Sequence, residues 1–558
     1  MLRKLLYSLS INFFFLALCL IFGDLKFGAI DDYFMAARAS GALGNAPEPL
    51  LLFVNAIYGY ALLPLYKLFP SFGWYYIGEM ASVFISFVTI SYILISKMGA
   101  KIGVLLSALF SALFAKDFYL TLQFTQCASL LSAAGMLTFV HSAFPKNATE
   151  NFSNKKSILA IIYAIFLMLF GSVMRYQAFL MGMPFFALAL LLQFKKAWPY
   201  KWRTIISITV LFIIGAFSLK HFDRQLYNNE SYHAYNIFQE PRVILGDHGN
   251  YNKNAVYEDL EEVGKSGKDF HMLTSWTFYD TEVFHVDSLK EITNFIEPYR
   301  FKNEHALIPQ SLLSALQHSL TAPLFWAWFV FCLIIFRTNP QKSIYLWSSL
   351  FIVFGLMTYL LFMGRLVYRV ESGFWLYAAC LAVPFFKTFK YKPSKLAVST
   401  LLVAFALFNL ALFSAEGHLV RDPSTGKSRT IAVEDSTDYK QVFDYIESNP
   451  DKMFLLDMGA YMRFSHHRNP PYLAEPVGSF RNLISFGYWT PYLPEITKNL
   501  NDYGIQNPIK DVVKENVIVI NEGKLEDFLE RHHYKDVELD TLKVIGEMEF
   551  FKYRLVKE

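Results

Sequence analysis

Apolar runs of about 18–22 residues recur along this chain, long enough at 1.5 Å per residue to cross a hydrocarbon core. The spans read from the pattern fall near 5–22, 73–96, 102–115, 120–144, 157–174, 178–194, 204–219, 320–336, 343–363, 372–386 and 396–414. The pattern predicts an all-α polytopic membrane bundle of about eleven spans. One further apolar stretch, 50–69, is interrupted by Asn55, Gly59, Pro64 and Lys67 and carries Tyr58, Tyr60 and Tyr66. That composition predicts a helix lying in the membrane interface rather than crossing it.

Charge supports this count. The basic connections are Lys97/Lys101, Lys146/Lys155/Lys156, Lys195/Lys196/Lys201/Arg203, Arg337/Lys342 and Lys387/Lys390/Lys392/Lys395. With eleven spans and 50–69 uncrossed, all of them share the cytoplasmic side with Arg3 and Lys4, as the positive-inside rule requires. A twelfth span would put either the N-terminus or the other basic loops on the wrong side. The expectation is therefore a multi-pass protein of the plasma (inner) membrane with a cytoplasmic N-terminus. The outer face then holds 23–72, the turns at Lys116-Asp117 and Arg175-Tyr176-Gln177, the insertion, the Arg365–Glu371 turn and everything after about 415.

The chain divides into an N-terminal transmembrane module, 1–219, whose outer loop is 23–72, and an extracytoplasmic insertion, 220–319. Further transmembrane helices at 320–414 and a tail at 415–558 follow. The tail changes in texture: Asp438–Asn449 and Lys524–His533 read as helices, Lys452–Asp457 and Asn516–Ile520 as strands, and Val544–Leu555 as strand-like. Punctuating Gly and Pro complete the pattern of a small extracytoplasmic α/β domain. In the insertion Asp287–Ile296 reads as a helix. No internal repeat or low-complexity segment is evident.

Composition narrows the classes. The chain is 54% apolar with a mean hydropathy of +0.29, unlike an ordinary soluble domain. The net charge of +4 is small and its basic residues lie in short clusters between spans, so no nucleic-acid partner is implied. Tyr and Trp flank the spans as interfacial anchors do. Cys19, Cys127, Cys332 and Cys380 all fall inside apolar runs without a CxxC or a His/Cys cluster, so neither disulfides nor a structural zinc is expected. Met1-Leu2-Arg3-Lys4 could open a signal peptide, but the apolar run is long and no small-residue cleavage site follows closely, so an uncleaved first span is expected.

Candidate chemistry lies at the outer span ends. Asp31 and Asp32 follow the first span; a carboxylate there could act as a general base on a hydroxyl or hold a divalent cation. The plainer role for Asp31 is the N-cap of a helix over Tyr33–Leu43, which leaves the second acid unexplained. Asp117 beside Lys116 is either a solvated pair or a second acid brought to the first by bundle packing. Glu79 lies inside a span about two turns from its outer end; an ionisable group there faces a site, or a structural Lys or Tyr. Arg175, Arg365 and Arg369 stand at outer ends, where positive charge runs against the usual bias, and their planar forks suit a phosphate. Snorkelling is the alternative. Lys220 and His221 are weaker candidates at another outer end. His466-His467 cannot chelate as HExxH does. The sequons at Asn147 and Asn151 fall on the cytoplasmic side; that at Asn229 does not. There is no P-loop, GxSxG or dinucleotide fingerprint, so a nucleotide-driven mechanism is unsupported; no cofactor is assigned, and a divalent cation stays open.

One family resemblance stands on specific residues. It runs from Asp31-Asp32-Tyr33-Phe34-Met35, through Ser40-Gly41 and Gly44-Asn45-Ala46-Pro47, to Asn55, Gly59, Leu65-Tyr66, Pro70 and Trp74-Tyr75. With the sidedness and the C-terminal domain, this resembles the GT-C superfamily of polytopic glycosyltransferases, and within it a group of bacterial cell-envelope proteins. The likeness covers residues 1–220 well and the rest loosely. It implies a polyprenyl-phosphate-linked sugar as donor and an extracytoplasmic glycan, lipid or protein as acceptor, with inversion at the sugar. It implies Asp31 as base, with Asp32 beside it. Asp117 corresponds in place to a second functional acid of some relatives, though without a flanking motif here. Arg175, Arg365 and Arg369 would bind the lipid phosphate. Rival readings are a lipid-linked glycan polymerase or ligase, a flippase or transporter, and a non-catalytic scaffold presenting the tail. A transporter predicts midplane charges and inverted repeats, and neither is evident.

Overall fold

The fold is taken from a computed structural model. It describes residues 2–144, 155–197, 202–247, 251–262, 266–300, 308–321, 323–363, 366–389, 393–413, 418–421, 428–431, 437–457, 460 and 469–556.

Each of the eleven apolar runs becomes a helix. In chain order they are α1 (Leu2–Phe22), then, after the short strand β1 (Lys26–Phe27) and the non-spanning helices α2 (Ile30–Ser40) and α3 (Ala56–Leu68), α4 (Trp74–Met98) and α5 (Ala100–Ala115). Strand β2 (Thr121–Leu122) leads into α6 (Phe124–Ala143), α7 (Lys155–Met174), α8 (Tyr176–Ala197) and α9 (Trp202–Tyr227). Among the described residues eight helices are long and apolar enough to cross a membrane. The other three predicted spans differ in kind. Helix α6 has 20 residues but is rich in Ala, Ser and Gly and buried along nearly its whole length. The remaining two are short, as set out below.

Small residues explain the central place of α6. A Cβ on Gly135 would lie 2.8 Å from the Ala164 carbonyl, and one on Gly171 2.2 Å from Ser132 Oγ. Close helix approach through small residues is how apolar helices associate when lipid is as apolar as the partner. Polar side chains add to this: Asn12 of α1 donates to Ser91 of α4 at 2.9 Å and accepts from Ser111 of α5 at 2.9 Å.

Within 50–69 the helix covers only Ala56–Leu68: α3 has 13 residues, about 20 Å. Asn55 caps it, accepting from the Ile57 N–H at 3.1 Å.

The insertion is helical. It holds α10 (Glu230–Gly246), α11 (Lys253–Glu262), α12 (Gly267–Thr274), α13 (Val286–Ile296) and α14 (Ile308–Thr321). Then come α15 (Pro323–Thr338), α16 (Ile344–Phe362), the fully buried second half of α17 (Tyr368–Cys380) and α18 (Lys395–Phe413). With 16 and 13 residues, α15 and α17 are the short spans.

The tail is an α/β unit. After the hairpin β3 (His418–Arg421) and β4 (Ser428–Ile431) come α19 (Thr437–Glu447), β5 (Met453–Leu456), β6 (Leu483–Ser485), α20 (Pro494–Asp502), β7 (Val517–Ile520), α21 (Glu526–His532), β8 (Val537–Ile545) and β9 (Met548–Leu555). The five-stranded order is β6-β5-β7-β9-β8, with β5 parallel to both neighbours and β9 antiparallel to both of its own. Strands β5 and β7 are buried at every position, as near-continuous apolar runs in a parallel pair should be. The strand-like run at Val544–Leu555 holds the end of β8, the turn and all of β9, a hairpin whose first arm starts at Val537.

The two ends of the bundle differ chemically. At one end Lys97 Nζ donates to the Pro384 carbonyl, Lys101 Nζ to that of Pro393, and Lys342 Nζ to that of Leu192. At the other end the first loop, the insertion and the tail are bonded together. These three lysines and the acidic pair thus occupy opposite ends.

Candidate functional site

The acidic pair is held by a stack of local ties. β1 pairs in parallel with β2, Lys26 opposite Thr121 and Phe27 opposite Leu122, which lashes the first loop to the α5–α6 connection. Gly28 is needed there: its N–H bonds the Leu122 carbonyl at 2.5 Å, and a Cβ would come within 2.6 Å of the Thr121 carbonyl. Helix α2 begins two residues later. Its N-cap is Ala29, with extended backbone and no side-chain cap, so Asp31 is not the cap and lies instead in the first turn with Asp32. Both acids there face the positive end of the helix dipole. At its far end Gly41, at φ 85°, closes the helix through N–H bonds to Ala37 and Arg38 carbonyls.

The two acids diverge. Asp31 Oδ2 lies 3.4 Å from Arg369 Nη2, and Asp31 Oδ1 accepts from the Tyr488 hydroxyl at 3.0 Å. Asp32 turns into the bundle. Its Oδ1 accepts from the Tyr75 hydroxyl and from the Phe124 N–H, each at 3.0 Å. Burial first, and then the charge of Asp31, push the Asp32 carboxyl up from the ordinary 3.8, against the lowering effect of its hydrogen bonds and Arg369.

Other predicted residues join them. Asp117 accepts from the Tyr368 hydroxyl at 2.6 Å, and Tyr368 precedes Arg369 at the start of α17. Asp117 is half-buried, with Lys116 still beside it. Glu79 is wholly buried on α4 beside Asp32 and Tyr75. Arg175, between α7 and α8, donates to the Phe53 carbonyl at 3.2 Å and lies 5.2 Å over the Phe124 ring. His221 is exposed on α9, and among the described residues no bond joins it to the acids. Arg365 lies outside the described residues.

No sequence motif marks the aromatic roof. Tyr488 reaches Asp31 across 457 positions, from a tail segment that follows β6. The Phe278 and Tyr279 N–H groups of the insertion both bond the Phe486 carbonyl, and the Trp276 ring lies 5.6 Å from that of Tyr488. Trp489 packs edge-on to Phe53 at 4.4 Å. Leu52, Trp276, Tyr488 and Tyr492 all have φ between 63° and 75°, outside the region that L side chains favour. Each costs of the order of 1–2 kcal/mol, so packing of the three segments holds this roof in shape.

Arg38, two turns beyond the acids on α2, locks the same segments together. Its Nε lies 2.6 Å from Glu495 of the tail, and its Nη2 donates to the Tyr232 hydroxyl of the insertion at 2.8 Å. The Asn499 amide donates to the Leu43 carbonyl, and the Gly478 and Phe480 N–H groups bond the carbonyls of Gly41 and Ala42.

Among the described residues no three metal-ligating side chains converge. Asp31 is engaged by a cation and a phenol, and Asp32 Oδ1 by two donors.

Fold and site together define an integral membrane protein. Its helical bundle carries a carboxylate–arginine cluster at one end, roofed by an insertion and a C-terminal α/β domain. Among solved structures the chain is similar to a protein from Cupriavidus metallidurans, described as the crystal structure of ArnT in the apo state. The identity is 10% and the TM-score 0.42, over 98% of this chain and 96% of that one. At that level the likeness does not carry function across. No protein-family model and no curated protein matches.

Proposed function

We propose that this protein is a membrane glycosyltransferase that moves a sugar from a polyprenyl-phosphate donor to an extracytoplasmic acceptor. The observation that carries the reading is Asp31, a carboxylate bonded to Arg369 and Tyr488. In the proposed step Asp31 accepts the proton of an acceptor hydroxyl whose oxygen attacks the anomeric carbon. The bond from that carbon to the phosphate oxygen breaks, the configuration inverts, and the electron pair leaves with the lipid phosphate. Arg369 and Arg175 are the cations offered to that phosphate, whose negative charge grows as the bond breaks. Asp117 holds the start of α17, and with it Arg369, through Tyr368.

The lipid part of the donor has a matching surface. An apolar groove of about 650 Å³ runs between α7 and α9, lined by Ile161, Ile165, Leu169, Ile208, Phe212 and Gly215 among others. It ends six residues, about 9 Å of helix, before Arg175. An isoprenoid chain in the groove would thus bring its phosphate toward that arginine.

The sidedness proposed is an N-terminus in the cytoplasm and the roof outside, because the lysine-rich end of the bundle belongs inside. The test uses the purified full chain in lipid vesicles with a panel of labelled polyprenyl-phosphate sugars. Release of polyprenyl phosphate is expected with the parent and its loss with Asp31→Asn. Parental release by that variant overturns the assignment.

A further inference from the structure

Two of the site's carboxylates, Asp32 and Glu79, lie side by side, and the donors around them can be counted. Among the described residues Asp32 Oδ2 and both oxygens of Glu79 are buried without a hydrogen-bond partner. Glu79 is nevertheless directly beside Asp32. Among the described residues the nearby phenols that donate, Tyr58, Tyr75 and Tyr76, are committed as follows. The Tyr75 hydroxyl has one hydrogen and gives it to Asp32 Oδ1; it lies within reach of Glu79 but cannot serve both. The Tyr58 hydroxyl donates to the Tyr75 carbonyl and that of Tyr76 to the Tyr119 carbonyl. Tyr66, from α3, accepts from the Tyr75 N–H. Cys127 is the titratable group that α6 presents. The cation that faces the acids, Arg369 of α17, is on Asp31.

Buried carboxylate oxygens in native proteins have partners, and two facing anions in a low-dielectric interior repel strongly. A hydrogen held between Asp32 Oδ2 and a Glu79 oxygen removes both problems, since one carboxyl then donates to the other. We infer that Asp32 and Glu79 share a single proton, and that this pair positions Asp31 as the site's ionised base. The inference rests on the reading of Asp31 as base. With the shared proton, the three acids and Arg369 sum to one negative charge; without it they sum to two. The pair also fixes direction: with Asp32 anchored to α4 through Glu79 and Tyr75 and to α6 through Phe124, its chain neighbour Asp31 is turned toward Arg369 and Tyr488. Asp32 and Glu79 are positioning residues, since neither needs to touch the substrate.

Infrared spectroscopy on the full chain in lipid nanodiscs reads the proton directly. At neutral pH the parent is expected to show the carbonyl-stretch band of a protonated carboxyl group, shifted in deuterium oxide. Asp32→Asn and Glu79→Gln should each abolish it, because an amide replaces the shared proton with an N–H donor of its own. Asp31→Asn should leave it. Either amide variant suffices, so failure of one to fold leaves the test intact. A parent without the band overturns the inference, as does a band that survives whichever amide variants fold. Turnover separates the two proposals: the Asp31 reading fails if Asp31→Asn is active, whereas the shared proton stands or falls on the band.

Discussion

Asp31 and Asp32 are adjacent in sequence yet have opposite surroundings. One is turned to a cation and a phenol, the other to the bundle interior. That contrast has a consequence for stability. The folded protein keeps Asp32 protonated above its ordinary value of 3.8, mainly because of burial and then the charge of Asp31. The unfolded chain releases that proton near 3.8. Where the native state still holds it, the native state binds more protons, and stability falls as pH rises by about 1.4 kcal/mol per unit for one group. Asp32→Asn removes this dependence. The expected result is a melting temperature for Asp32→Asn that gains on the parent as pH rises from about 4 toward neutrality. A gap that narrows would contradict it. Arg38 supplies a second test at this scale. Arg38→Ala leaves Glu495 with its partner gone in a largely desolvated seam and should cost about 3–5 kcal/mol, seen as a marked drop in melting temperature.

The elements show what was readable beforehand and what was not. Hydrophobic run length located every span, and the broken stretch at 50–69 was legible because Asn55, Pro64 and Lys67 do not suit a lipid-facing helix. The cap reading of Asp31 failed because helix start signals are local, and here β1 pairing and Gly28 bring the chain into α2 two residues earlier. Most of the insertion's helices were missed because their apolar positions are spread among polar ones, as in Lys253–Glu262. Tyr488, Tyr368 and Tyr75 were illegible as site residues: a tyrosine carries no motif, and its partner is set by tertiary packing. Two element-level outcomes follow. A Cβ at Gly73 would lie 2.3 Å from the Pro471 carbonyl, at the seam where Phe72 pairs with Leu473. Gly73→Ala should therefore loosen the tail from the first loop, measured as faster proteolysis between them. Gly215→Trp should fill the α7–α9 groove and weaken polyprenyl-phosphate binding without changing the melting temperature much; unchanged binding would remove the groove from the account.

For the whole molecule, the acid–arginine cluster is a product of assembly. Its members come from α2, α4, the α5–α6 turn, the α7–α8 turn, α17 and the tail, and Arg38 ties the first loop to both outer modules. The charge pattern indicated that these pieces share a side; it could not indicate that the tail reaches Asp31. The same arrangement makes sidedness testable. Tyr60 is exposed on α3, so a cysteine there should be labelled by a membrane-impermeant reagent from outside intact cells, whereas one at Lys101 should not. The chemistry itself is read by release of polyprenyl phosphate from labelled polyprenyl-phosphate sugars by the full chain in vesicles, parent against Asp31→Asn. Release by the parent and at least about a hundredfold loss in the variant are expected, of the order seen when a general base is removed. Equal release by the two proteins would contradict the assignment of Asp31 as the base.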